Sequence, residues 1–228
     1  MSLHAMNPAC RATPSRHIRH PLRAATAAAV ILLATGCSIL GPKPEPGTIY
    51  APDPRVEAAP AWPTVDWQLS LSRATASSMT DSLRIAVRPS ANELQVYKGA
   101  SWAKTPTSMV EDALLRALED SDRIPAVARQ GAGIGADYKL VLDLRRFEAA
   151  YTAGSAMPLA TIEVNAKLLH APDQAVVAAR TFMQAPPAAT TAVPDVVAAF
   201  ERSLETVTAE LAGWVLTSGD EHERTGHE

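Results

Sequence analysis

From Tyr138 onward the chain alternates: Tyr138, Leu140, Leu142 and Leu144 are interleaved with Lys139, Val141, Asp143 and Arg145. A period of two sends the two sets to opposite faces of a strand. The phase slips at Arg145-Arg146-Phe147, which predicts a bulge. After the loop Thr152 to Pro158, Ala160, Ile162, Val164, Ala166 and Leu168 alternate with Thr161, Glu163, Asn165 and Lys167. The turn Ala171-Pro172-Asp173-Gln174 leads to a third strand, Ala175 to Phe182. Earlier, Trp67, Leu69 and Leu71 alternate with Gln68, Ser70 and Ser72. Two further strands read Leu83 to Val87, stopped by Pro89, and Leu94 to Tyr97, joined by the turn Ala91-Asn92-Glu93.

Two segments have helical spacing instead. Thr105-Pro106 opens the first, with Met109, Val110, Ala113, Leu114, Ala117 and Leu118 on one face and Glu111, Asp112, Arg116 and Glu119 on the other. Pro125 cannot continue it, and 125–129 reads as a short edge strand. The second helix starts near Pro194, with Val193, Val197, Phe200, Leu204, Val207, Leu211 and Trp214 three and four residues apart. The expected fold is α+β: an antiparallel or mixed sheet of about six to seven strands with two amphipathic helices packed on one face.

The N-terminus has a different texture. A basic stretch ends at Arg23, and 24–34 reads AATAAAVILLA, eleven apolar or small residues. A membrane-spanning helix needs about 20 apolar residues, whereas an export signal needs a core of about 7–15. Residues 1–36 are therefore read as a targeting segment. Ala34-Thr35-Gly36-Cys37 resembles the lipobox of bacterial lipoproteins, with cleavage between Gly36 and Cys37 and lipid on the cysteine; the family prefers leucine where Ala34 stands. The alternatives are an ordinary cleaved signal with Cys37 a free thiol, or an uncleaved anchor. Ser38 is not the aspartate that retains lipoproteins at the inner membrane, so the resemblance implies the outer membrane, facing the periplasm.

From Gly41 to Pro63 there are seven prolines, which remove backbone donors and favour extended chain. Residues 37–66 are read as a lipidated tether, 67–217 as the folded domain and 218–228 as a polar, disordered tail.

Composition is that of an ordinary globular chain: 228 residues, 47% hydrophobic and 20% charged. Removing residues 1–36 takes away Arg11, Arg16, Arg19 and Arg23, leaving 17 basic against 24 acidic residues, or −7. The basic balance that nucleic acid requires is absent. The two cysteines, Cys10 and Cys37, both precede the body, which excludes a disulfide framework and a cysteine metal cluster.

The search for chemistry yields little. Gly131-Ala132-Gly133-Ile134-Gly135 lacks the G-x-G-x-x-G spacing and precedes a strand, so it reads as a turn and not as a phosphate loop. His222-Glu223 and His227 are spaced wrongly for H-E-x-x-H and read as a solvated end, leaving His170 alone in the body. Acids such as Asp143 and Glu163, on polar sides of strands, are the candidates for acid and base work, though exposed strand carboxylates are usually just solvated. Tyr97 and Trp102 flank Gly99 between a strand and a helix. An exposed pair there would be a partner contact; the alternative is that both pack over the sheet edge. No catalytic residue, metal site or cofactor is expected, and the chain is read as a non-enzyme.

Taken in order, Arg84-Ile85-Ala86-Val87-Arg88-Pro89, Leu94 to Lys98, Trp102 and Val110 to Leu118 resemble the ABC-type transport auxiliary lipoproteins, the outer-membrane partners of MCE-domain lipid transport systems. Tyr138-Lys139-Leu140, Arg145-Arg146-Phe147-Glu148, Ala199-Phe200-Glu201 and Trp214-Val215-Leu216 also fit that pattern. The resemblance runs from the lipobox to Leu216. It implies an α/β sandwich without an active site, docking a periplasmic MCE protein beside an ABC permease and ATPase that move lipid between membranes. A lipid-binding carrier lipoprotein is the alternative.

Overall fold

The structure, a computed structural model, describes residues 47–226. The expected targeting segment, Gly36, Cys37 and His227 lie outside the described residues. In chain order the elements are β1 (Thr48–Tyr50), β2 (Gln68–Leu71), β3 (Thr75–Ala76), β4 (Arg84–Ser90), β5 (Glu93–Trp102), α1 (Pro106–Glu119), β6 (Ala126–Arg129), β7 (Tyr138–Ala150), β8 (Leu159–His170), β9 (Val176–Gln184) and α2 (Val193–Thr225).

The long strand β7 organises the sheet. One edge pairs along its length with antiparallel β8, which in turn pairs with β9. The other edge is shared by three parallel segments: β2 at Tyr138–Leu140, β3 at Asp143–Leu144 and β4 at Ala149–Ala150. Beyond them β6 pairs with β2, and β5 and β1 continue outward from β4. The result is a mixed nine-stranded sheet in an α+β fold, with β1 and the two-residue β3 added to the strands read from alternation.

The bulge lies where the phase slips, between Leu144 and Arg146. Before it Tyr138, Leu140, Leu142 and Leu144 point inward. After it Phe147 and Ala149 do, and all six are at most 2% exposed. Pro89 does not end β4, which reaches Ser90; the ladder shifts register there, as a residue without an N–H requires.

Helix α1 buries the predicted stripe from Met109 to Leu118. Its Pro106 occupies the first turn, and the Thr107 N–H donates to the Asp81 carboxylate (3.0 Å), so a loop supplies the cap. Helix α2 packs on α1, β8 and β9. Its Phe200 stacks on Phe147 (centroids 4.9 Å, 13°), with Trp102 edge-on to both. Such contacts each add about 0.5–1.5 kcal/mol beyond burial.

Both ends of the described chain depart from the sequence reading. Residues 47–66, read as tether, lie on the folded body, where Pro54, Trp62 and Val65 are buried. Proline lacks the N–H that must be satisfied on burial, so such a segment can pack with few ladder bonds. At the other end α2 continues through Ser218 to Thr225 in place of a disordered tail: Gly219 is still buried, and His222 and Glu223 in the largely exposed last turns meet the Tyr138 hydroxyl. Among the described residues no helix is long and apolar enough to cross a membrane.

Candidate functional site

The segment from Gly47 to Trp67 forms a strap, fixed at four points. First, β1 adds to the edge of β5, with Ile49 opposite Ser101 and Tyr50 opposite Trp102. The Ala103 N–H then donates to the Tyr50 carbonyl (2.8 Å).

Second, Asp53 joins both helices. Its carboxylate pairs with Arg116 of α1, and its backbone N–H donates to the Glu201 carboxylate of α2 (3.1 Å). The hydrogen bond from Arg116 and the charges of Arg116 and Arg55 hold the Asp53 carboxyl below the usual carboxylate range.

The third and fourth points are tryptophans seated on glycines of α2. A Cβ on Gly213 would stand 2.6 Å from the Trp62 indole nitrogen, and one on Gly219 would stand 2.3 Å from Trp67. Neither distance is compatible with a side chain, so the glycines are what allow the strap to lie this close to the helix. Between them the Val65 N–H donates to the Arg123 carbonyl (2.9 Å).

Trp67 also meets Tyr138 at 4.8 Å between ring centroids, and Tyr138 ties down the end of α2. Its hydroxyl donates to the Glu223 carboxylate (2.7 Å) and lies 2.7 Å from His222 Nδ1. Burial and the Glu223 contact raise the phenol pKa. His170 approaches His222 at 5.2 Å and bonds Asp173 at 3.0 Å. A second histidine therefore does reach His170, contrary to the sequence reading, because α2 persists far enough to carry it there. Among the described residues no group of three His, Cys, Asp or Glu side chains is placed to hold a metal.

The remaining candidates disperse. Trp102 is 2% exposed and belongs to the aromatic core, so it is not a surface contact. Tyr97 is half-buried, with its hydroxyl turned inward beside Tyr151 without completing a hydrogen bond; burial and Tyr151 push its pKa up to about 12. Asp143 and Glu163 both approach Arg145, at 3.4 and 3.7 Å, and form a surface ion-pair group rather than a pair of separated acids. Gly131 and Gly133 have positive φ in the turn before β7, as a turn requires.

The sequence reading did not single out Arg88, Arg146 and Glu148 as a site. Arg88 and Glu148 are 60 positions apart, and the parallel contact of β4 with β7 is what joins them. The one signal available was the bulge, which turns Arg146 and Glu148 to the same face.

Among known proteins, the family model for the ABC-type transport auxiliary lipoprotein component matches residues 48–212. A Xanthomonas campestris protein of known crystal structure, assigned to family DUF330, is 53% identical, with a TM-score of 0.75 over 78% of this chain and 99% of that one. A second crystal structure, of an uncharacterized protein, is 13% identical and shares the fold alone, with a TM-score of 0.55 over 72% of this chain and 99% of that one. No curated protein matches.

Proposed function

The chain belongs to the ABC-type transport auxiliary lipoprotein family, and on that premise we propose that it is the non-catalytic docking component of an intermembrane lipid transport system. In this reading the precursor is cut between Gly36 and Cys37, and lipid on Cys37 anchors the protein in the outer membrane, facing the periplasm. The body docks a periplasmic MCE-domain protein, which works with an ABC permease and ATPase.

The strap is the observation that carries the reading. Only nine residues separate Cys37 from Gly47, and fully extended the stretch spans at most about 35 Å. A lipid on Cys37 therefore keeps the body near the membrane surface, and the strap fixes which part of it follows the anchor. A rigid body held at a set reach suits docking. The space between sheet and helices is filled by side chains such as Leu142, Ile162, Phe200 and Leu204, all fully buried. This favours docking over a carrier that parts its layers around an acyl chain.

Crosslinking of the full-length protein in native membranes, followed by purification, is expected to recover an MCE-domain protein; repeated recovery of none overturns the docking role. Cys37→Ala is expected to leave the fold intact and move the protein from the membrane to the soluble fraction. Retention of that variant in membranes after loss of the signal overturns the anchor.

A further inference from the structure

The outer face of the sheet, opposite the helices, buries one carboxylate between two arginines. Glu148 is 5% exposed. Arg88 reaches it from β4 with a two-pronged contact, Nε to Oε1 at 2.7 Å and Nη2 to Oε2 at 2.9 Å, while its Nη1 donates to the Ala91 carbonyl (3.1 Å). Arg146 adds Nε to Oε1 at 2.9 Å from the same strand. Burial alone would raise the Glu148 pKa, but the hydrogen bonds and charges of the two arginines outweigh it and hold the carboxyl below its ordinary range.

The charges do not cancel. Two guanidiniums face one carboxylate, and among the described residues no other acid pairs with either. A single forked arginine already neutralises Glu148 and fills its best acceptor positions. A structural ion pair has no need of the second, and burying one gains little stability in any case. Both arginine side chains remain about a third exposed, at 29% and 35%. Each guanidinium has five N–H donors, and Glu148 and Ala91 leave some on both without an acceptor.

Those donors line a groove of about 530 Å³ whose other wall is mostly apolar: Pro89, Ala150, Tyr151 and Ala153. The bulge at Leu144–Arg146 creates this site, since without it Arg146 and Glu148 would face the core.

We infer that this groove is a binding site for a monoanionic amphiphile, with the oxyanion held by the forks of Arg88 and Arg146 and the apolar stem lying on Pro89, Ala150 and Tyr151. One surplus positive charge matches one negative charge, as in the phosphodiester of an anionic phospholipid or the carboxylate of a fatty acid. Planar guanidiniums suit either. The inference stands on this geometry and not on the docking role, so lipid binding and partner recovery fail or succeed separately.

The test is native mass spectrometry of the full-length protein from a neutral detergent, titrated with dihexanoyl phosphatidylglycerol, dihexanoyl phosphatidylcholine, octanoate and inorganic phosphate. A one-to-one complex is expected with phosphatidylglycerol or octanoate, and which of them binds identifies the phosphodiester or the carboxylate as the source. Arg146→Gln keeps the forked Arg88–Glu148 pair and is expected to weaken binding by about tenfold, one charge-assisted contact. Arg146→Lys, which keeps the charge but not the fork, is expected to fall between and serves if R146Q does not fold. Arg145→Gln, beside the groove but bonded elsewhere, is expected to bind as the parent does. Equal binding of phosphatidylcholine, equal competition by inorganic phosphate, unchanged binding by R146Q, or an equal loss in R145Q would each overturn the site.

Discussion

The two faces of β7 are built by different rules. Inward, Leu140, Leu142, Leu144 and Phe147 meet Ile162, Val164 and Phe200 in a core of interdigitated apolar side chains. Outward, Asp143, Arg145, Arg146 and Glu148 meet Arg88, Glu163 and Thr181 in a set of ion pairs and hydrogen bonds. The inner face gains from area removed from water, which any well-shaped apolar residue supplies. The outer face gains only through particular partners, and a charge deprived of its partner is costly. Stability therefore belongs mainly to one side of the strand and recognition to the other.

The largest blow to that division should come from the inner face. Phe147→Ala removes a ring stacked on Phe200 and is expected to cost about 3–5 kcal/mol by denaturant unfolding; a loss smaller than that of any outer-face variant would break the comparison.

Gly219→Ala sets a methyl against the buried Trp67 ring. It is expected to cost about 1–3 kcal/mol from overpacking, in spite of alanine's advantage in a helix. Trp67 is 4% exposed, so the ring cannot simply swing away. A neutral or stabilised variant would show that the strap is not held there.

Glu148→Gln keeps the shape but removes the charge between Arg88 and Arg146, and should cost about 1–3 kcal/mol at neutral pH, reduced by the partial exposure of the arginines. The sign of its pH dependence follows from the lowered carboxyl. The native protein holds this stability above the ordinary carboxylate pKa and loses it as pH falls through the folded value. The gap between parent and variant is thus expected to close on acidification. A gap that widens toward low pH would contradict the ion pair.

The smallest effect is expected at Arg145→Gln, whose side chain is 46% exposed. A change within about 0.5 kcal/mol is the expectation for such a surface site.

The alternating strands and both helical stripes were legible because their signals are local and periodic. Even the bulge shows as a slip of phase at Arg145. The strap was not legible, because it packs through isolated residues in a proline-rich segment that has no period. Its signature was on the other partner: Gly213 and Gly219 interrupt a good helix, and each makes room for a tryptophan more than 140 positions earlier. The polar end of α2 misled in the same way, since Gly219, His222 and Glu223 look like tail residues until Trp67 and Tyr138 are opposite them. The family resemblance carried the fold and the transport class. It did not separate Tyr97 and Trp102, which lie in the same stretch and end in different environments. The Arg88–Glu148 contact has no local trace at all.

The parallel edge of β7 has a consequence for how the chain reaches its native state. Leu69 pairs with Tyr138 and Val87 with Ala149, whereas Ala150 pairs with nearby Leu159 across a short connection. Closing the short loop costs far less entropy than closing the long ones, so the meander β7–β8–β9 can assemble first. On the export route proposed above, a chain threaded through a membrane from its N-terminus would expose β2 and β3 well before β7 arrives to receive them. During that interval their unpaired apolar edges are open to association, and this is the stage at which the protein would most depend on a chaperone.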